Sequence, residues 1–199
     1  MVQTRYKGDL VAGALLVNEG RKVVSLMMQG LKEKELLDKV LKDNLLQKRN
    51  PVSGRRQAML ILNRLGQLPK PFWAIVRDGS HEQATQVLLC ASIKYSPILG
   101  DFITRVISEH VRTFKKTLSH RDWDTFYEEC LNIDPAIDSW SDSTRYKVRQ
   151  ISFLILAQAG IIDSTRKKNI LPFNLLPEIR SLLREHKENY VLSCLEVFE

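Results

Sequence analysis

Apolar residues recur at helical spacing through most of the chain. Between Asp9 and about Leu46 the runs "LVAGALLV", "KVVSLMMQGL" and "KELLDKVLKDN" each gather apolar side chains on one face. With "NEG" and Gly30 as breaks, they predict three short helices. In "PVSGRRQAMLILNRLG", Pro51 is a starting signal, Ser53 a candidate N-cap and Gly66 a C-terminal stop, so a fourth helix is expected from about 53 to 65. "PKPF" at 69–72 reads as a rigid turn, followed by a short helix in "FWAIVRDG" and a longer one in "HEQATQVLLCASIKYS". Pro97 and Gly100 mark a joint. Beyond it "DFITRVISEHVRTFKKTL" is amphipathic, and "SHRDWDTFYEECLNI" opens with Ser119 as a cap and acids in its first turn, where the helix dipole favours them.

The last third changes character. "SDSTRYKVRQISFLILAQAGIID" predicts a long helix with Ser141, Asp142, Ser143 and Thr144 as competing caps and Gly160 at its end. "IIDSTRKKNILPF" then sets two short β-prone pairs, Ile161 with Ile162 and Ile170 with Leu171, around a polar turn, the pattern of a hairpin. Helical spacing resumes after Pro177. The expected fold is mainly α: a multi-helix protein with helix-turn-helix or winged-helix-like elements and one short C-terminal β-hairpin wing. Residues 1–68 form a helix-turn-helix-like unit, 69–118 a central helical linker and 119–199 a winged-helix-like unit. A gapless echo, "MLILNRLG" at 59–66 against "FLILAQAG" at 153–160, hints at a structural duplication.

Charge adds a direction. The 199 residues carry a formal charge of +7 and are 44% apolar, enough for a substantial core, and the basic balance favours polyanionic partners. Cys90, Cys130 and Cys194 are odd in number and lack metal-ligand spacing, which fits a reducing cytoplasm and neither a disulfide framework nor a zinc site. The longest N-terminal apolar stretch is too short for a membrane span, and none appears elsewhere.

Two cationic clusters stand out. Lys48, Arg49, Arg55 and Arg56 flank a turn with Ser53 at a helix start, where cations oppose the helix dipole unless an external anion answers them. In a helix-turn-helix reading "KELLDKVLKDN" supports and "SGRRQAMLILNRL" enters the groove. The alternative is a solvated loop, or arginines paired with acids such as Asp38 and Asp43. The second cluster joins Arg145, Lys147 and Arg149 at the start of the long helix to Arg166, Lys167 and Lys168 at the hairpin tip. That is the order of elements in a winged helix. Arg145 and Arg149 lie four apart and share a face; Lys147 does not. The alternative is an exposed turn kept soluble by charge.

No enzyme constellation assembles: there is no phosphate loop, dinucleotide fingerprint or HExxH motif. His81, His110, His120 and His186 are scattered, and the acids of "HRDWDTFYEE" are explained by their helix start. Trp73, Trp123 and Trp140, with Phe126 and Tyr127, read as core or junction residues.

"LLQKRNPVSGRR", "ILNRL", "YSPILGDFITRVI", "DWDTFYEE", "WSDSTRYKVRQ" and "LAQAGIID", in this order and at these separations, resemble the BrxA family of bacteriophage exclusion (BREX) defence systems. The resemblance covers nearly the whole chain. It implies a small helical, non-enzymatic component of a defence system without a cofactor, working with other BREX proteins. It also implies nucleic-acid binding, either to double-stranded DNA through helix-turn-helix or winged-helix elements or, as the alternative, to RNA in the manner of the NusB antitermination factor. Its positions fall on "QKRNPVSGRR" and "STRYKVR", where the charge argument also points. A scaffold for other BREX proteins is the third reading.

Overall fold

The computed structural model describes residues 5–198. A 3-10 turn over Gly8–Ala12 precedes α1 (Val17–Met28), α2 (Glu33–Lys42), α3 (Pro51–Leu65), α4 (Lys70–Asp78) and α5 (His81–Tyr95). Then come α6 (Pro97–Phe102), a π-helical turn (Ile103–Ile107), α7 (Ser108–Arg112), α8 (His120–Ile133), α9 (Asp142–Gln158), α10 (Pro177–Glu185) and α11 (Asn189–Leu195). Further 3-10 turns cover Pro135–Ser139 and Glu196–Phe198. The mainly helical architecture is the one the periodicity predicts.

The centre is α5. Every residue from Ala84 to Ile93 is buried, and α1, α3, α4, α6, α10 and α11 pack around it. Its polar side chains are satisfied as burial requires: Ser92 Oγ donates to the Leu88 carbonyl at 2.7 Å, while Gln86 donates to the Asn174 carbonyl and accepts from Leu176 N–H, both at 2.9 Å. At Pro97 the chain turns by 104° into the helix running to Arg112, at the predicted joint. There Phe102 meets Trp123, Phe126 and Phe153 with ring centroids 4.8, 5.3 and 5.9 Å away. This aromatic cluster ties α6 to α8 and α9, the role expected of Trp123 and Phe126.

The segment before α1 is a strap across the molecule. Tyr6 N–H donates to Asp134 Oδ2 at 2.9 Å and its hydroxyl to Asp101 Oδ2 at 2.6 Å. Arg5 reaches the same oxygen at 2.6 Å, and Tyr190 Oη donates to Asp101 Oδ1 at 3.0 Å. One buried carboxylate thus joins the N-terminal strap, α6 and α11.

Several local expectations need correction. "NEG" does not break a helix: it lies inside α1, because Gly20 is buried at the contact with Leu88 and Val76, where absence of a side chain permits close approach. The first predicted helix is only the 3-10 turn; Gly30, at φ 77°, does end α1's turn. The α3 cap is Asn50 rather than Ser53: Asn50 Oδ1 accepts from Val52 N–H at 2.8 Å with Pro51 in the first helical position. Ser119 and Ser141 do cap α8 and α9. "FKKTL" lies beyond the end of α7 and is not helical.

The β-hairpin wing is absent. Among the described residues there is no strand, only single antiparallel bridges, Ile162 with Ile170 and Thr117 with Asn169. Asp163 turns inward and accepts from Asn169 N–H at 3.0 Å, Asn169 Nδ2 at 2.8 Å and Ser164 Oγ at 3.2 Å, closing a compact loop in place of an extended tip. Pro172 has no N–H to continue the pairing after Leu171. Asp163 N–H to Asn169 O and Leu171 N–H to Ile161 O, both 2.9 Å, flank the Ile162–Ile170 bridge, and the loop's outer edge pairs with residues 116–118: Ile170 N–H donates to Lys116 O at 2.8 Å and Leu118 N–H to Lys168 O at 3.0 Å.

Candidate nucleic-acid interface

α3 buries Gly54, Ala58, Leu60, Ile61, Arg64 and Leu65 and leaves Val52, Ser53, Arg55, Arg56 and Asn63 exposed. The spacing of the apolar positions dictates this division. Arg55 and Arg56 have no partner among the described residues; neither Asp38 nor Asp43 reaches them. They line a cleft of about 380 Å³ together with Met59, Asn63, Gly8 and Asp9. Arg49 is likewise exposed and unpaired among the described residues. Lys48 is not free: its Nζ lies 2.8 Å from Glu19 Oε1 of α1. Burial pushes the Glu19 carboxyl up, but the hydrogen bond and charge of Lys48 outweigh it and hold it below the usual range.

The helix start offers few backbone donors. Pro51 has no N–H, Val52 N–H is taken by Asn50 Oδ1, and Gly54 N–H donates to the Asn50 carbonyl at 3.2 Å. An anion here would be held by the Arg49, Arg55 and Arg56 side chains, with Ser53 beside them, more than by the helix terminus.

The second predicted cluster divides. Arg145 is turned to the protein: it donates to the Trp140 carbonyl at 3.0 Å and the Asp138 carbonyl at 2.7 Å, with its guanidinium 5.5 Å from the Tyr127 ring centroid. Arg149 pairs with Asp124 at 2.8 Å, and Lys147 donates to Gln150 Oε1 at 2.7 Å. Arg145 and Arg149 do share a face, as their spacing predicts, but it lines a cleft of about 480 Å³ that also holds Asp124, Glu128 and Asp142. Those carboxylates offset the arginines toward a polyanion.

The 163–169 loop keeps Arg166 and Lys167 exposed with no side-chain partner among the described residues. Lys168, at φ 60°, donates to the Arg166 carbonyl at 3.0 Å and sits 5.9 Å above the Phe153 ring. Burial first, then the charges of Arg149 and Lys168, push the His120 imidazole below its usual pKa, so these three groups converge although they are far apart in sequence. Sequence reasoning missed Lys115 and Lys116. The antiparallel pairing of Lys116 and Leu118 with Ile170 and Lys168 sets both exposed lysines along the outer edge of that loop, at the end away from Arg166 and Lys167. Their signal was "FKK", absorbed into a predicted helix.

Among the described residues no group of His, Cys, Asp and Glu is arranged to hold a metal ion, and no single helix is long and apolar enough to cross a membrane.

The chain is similar to known proteins along nearly its whole length. The BrxA family model matches residues 4–187. A BREX protein BrxA from Paramagnetospirillum magneticum is 35% identical over 99% of both chains. One from Escherichia coli O9:H4 is 31% identical over 95% of this chain and 89% of that one. A crystal structure of an uncharacterized protein from Magnetospirillum magneticum superposes with a TM-score of 0.90 at 35% identity, covering 97% of this chain and 99% of the other. The landmarks from "LLQKRNPVSGRR" to "LAQAGIID" thus lie in a matched sequence and a matched fold, and the chain belongs to the BrxA family.

Proposed function

We propose that this protein is a non-enzymatic, cytoplasmic component of a BREX phage-defence system that binds double-stranded DNA, largely through phosphate contacts and with low sequence specificity. The observation that carries the reading is the edge formed by Arg49, Arg55 and Arg56, three exposed cations without a partner among the described residues near the start of an amphipathic helix. Arg49 precedes the helix start, where a cation opposes the helix dipole, Arg55 and Arg56 follow a turn further on, and an external polyanion answers the three together. Arg166 and Lys167 add two more. In this reading α3 is the groove-facing helix, α2 its support, and residues 43–50 the connection. The 163–169 loop touches neighbouring phosphates without needing an extended wing. Sequence recognition then falls to the other BREX proteins, because few amide side chains accompany these cations.

The test is a salt series of duplex mobility shifts with structured RNA as competitor. If all five unpaired cations engage phosphate, log Kobs against log salt has a slope of about −4 to −5, since each contact contributes about −0.9. Absence of binding at low salt overturns the proposal. Displacement by RNA at lower concentration than by duplex favours the RNA alternative instead.

A further inference from the structure

Past α7 the chain pairs antiparallel with the segment leading to α10, and the pairing ends where donors run out on both sides. Ile170 N–H donates to Lys116 O and Leu118 N–H to Lys168 O around the Thr117–Asn169 bridge. Carried two residues further, that register sets Phe114 opposite Pro172, which has no N–H. Phe114 N–H turns back to the Val111 carbonyl at 3.2 Å and Lys115 N–H to the His110 carbonyl at 2.9 Å, closing the end of α7 with Phe114 in left-handed backbone at φ 56°. The segments part, and a groove of about 240 Å³ opens between them. Val111 and Phe114 line it together with residues 170–173 and Phe198, whose ring centroid lies 5.2 Å from that of Phe173. Phe114 is 88% exposed and Leu171 38%. A continuous apolar surface left open to water marks a contact site, and one this small suits one or two large side chains better than a drug-sized molecule.

The rim carries one sign of charge. Lys115 and Lys116 line the same groove, exposed and without a side-chain partner among the described residues. No carboxylate among the described residues lines it: Glu109 and Glu196, close by in the chain, are tied to Arg112 at 2.5 Å and Arg184 at 3.1 Å. We propose that the groove docks an acidic segment of a partner protein, whose bulky apolar side chain enters between Phe114 and Leu171 while its carboxylates meet Lys115 and Lys116. Charge complementarity selects this occupant. A second copy of the chain presenting the same face would set the two lysines against themselves. A nucleic acid would answer the lysines, but its phosphates gain nothing from an apolar floor. The contact goes beyond the DNA-binding reading and does not depend on it. Arg49, Arg55 and Arg56 belong to the α3 edge, and Arg166 and Lys167 to the far end of the 163–169 loop.

The experiment selects a random peptide display library on the full chain and titrates the enriched peptides by fluorescence anisotropy. Enriched peptides should pair a large apolar residue with neighbouring acids. Phe114→Gly should weaken them about tenfold through lost apolar contact, with Tm unchanged or higher because glycine suits the left-handed position. Lys115→Glu/Lys116→Glu should also weaken them about tenfold, and should gain binding to peptides whose acids are replaced by lysine. That exchange separates charge recognition from a folding defect. The proposal is overturned if no peptide is enriched, if the enriched set is basic or lacks apolar anchors, or if either variant binds it as wild type does. Displacement of the peptides by a duplex overturns it in favour of a nucleic-acid contact. A concentration-dependent dimer in sedimentation that Phe114→Gly abolishes overturns it in favour of a second copy. Failure of the DNA-binding reading is distinguishable, because it leaves peptide binding untouched.

Discussion

Arg64 and Gln158 occupy corresponding positions in the two echoing stretches "MLILNRLG" and "FLILAQAG", and both close on the same three-residue backbone. Arg64 donates to the Gly13 carbonyl at 3.0 Å and to the Ala14 carbonyl, while Gln158 Oε1 accepts from Leu15 N–H at 2.9 Å. The strap is thus pinned from α3 on one side and α9 on the other. The helix ends themselves differ: Gly160 is left-handed at φ 74°, whereas Gly66 stays at φ −61°.

Arg64 is 1% exposed, so its substitution is a test of the strap. Arg64→Ala leaves two carbonyls and a cavity behind and should destabilise the fold by about 2–4 kcal/mol, read as a fall in urea midpoint at constant m. Arg64→Lys should recover little of this, since one ammonium cannot reproduce a planar two-pronged donor. Equal stability of wild type and Arg64→Lys would show that charge alone holds the strap.

The two cationic clusters should respond oppositely. Arg55→Glu/Arg56→Glu removes exposed, unpaired charges and should leave Tm within about 2 °C while reducing the DNA salt slope by about two. Arg145→Ala should do the reverse. It unhooks the Trp140 and Asp138 carbonyls, costs about 1–2 kcal/mol and leaves the salt slope unchanged. A flattened slope in Arg145→Ala would restore that residue to the interface.

Alkaline pH should loosen the Asp101 knot. Burial foremost, with the neighbouring carboxylate, holds the Tyr6 and Tyr190 hydroxyls well above the usual tyrosine pKa. A raised pKa means that the folded state keeps protons which the unfolded chain releases above about pH 10, so the stability they confer is complete below that value and lost as pH climbs beyond it. Burial also lowers the Arg64 pKa to about 10, an effect of opposite sign that wild type and tyrosine variants share. Urea midpoints at about pH 9 and about pH 11 should therefore fall more for wild type than for Tyr6→Phe/Tyr190→Phe. An identical fall would remove the tyrosines from the account.

All three cysteines are buried, and burial pushes Cys130 to about 11 and Cys194 to about 12. As the thiolate is the reactive form, none should react with a thiol-directed disulfide reagent near neutral pH in the native state, and all three should react in denaturant. Rapid native labelling of any one would contradict the packing around it.

The helical content, most helix starts and the joint at Pro97 were legible in the sequence because they depend on neighbours three or four residues away: apolar spacing, serine caps, proline and glycine signals. The same local chemistry misled where a distant contact decided the outcome. Gly20 reads as a breaker until Leu88 is seen against it, and Ser53 reads as a cap until Asn50 is seen to take Val52 N–H. The β-prone isoleucines read as a hairpin, but the Asp163 carboxylate takes Asn169 N–H, and the pairing stops at a single Ile162–Ile170 bridge flanked by Asp163 N–H to Asn169 O and Leu171 N–H to Ile161 O.

The candidate interface divides along the same line. That cations cluster at 48–56, 145–149 and 166–168 follows from the sequence alone, because charge is a property of residue type. Which of them remain available was decided only by the tertiary structure, since Glu19, Asp124 and Asp138 come from elsewhere in the chain to neutralise Lys48, Arg149 and Arg145. Folding likewise paired Lys116 and Leu118 with Ile170 and Lys168, which set Lys115 and Lys116 on the outer edge of the 163–169 loop. Ion pairing and backbone pairing act through space, and sequence separation does not register either.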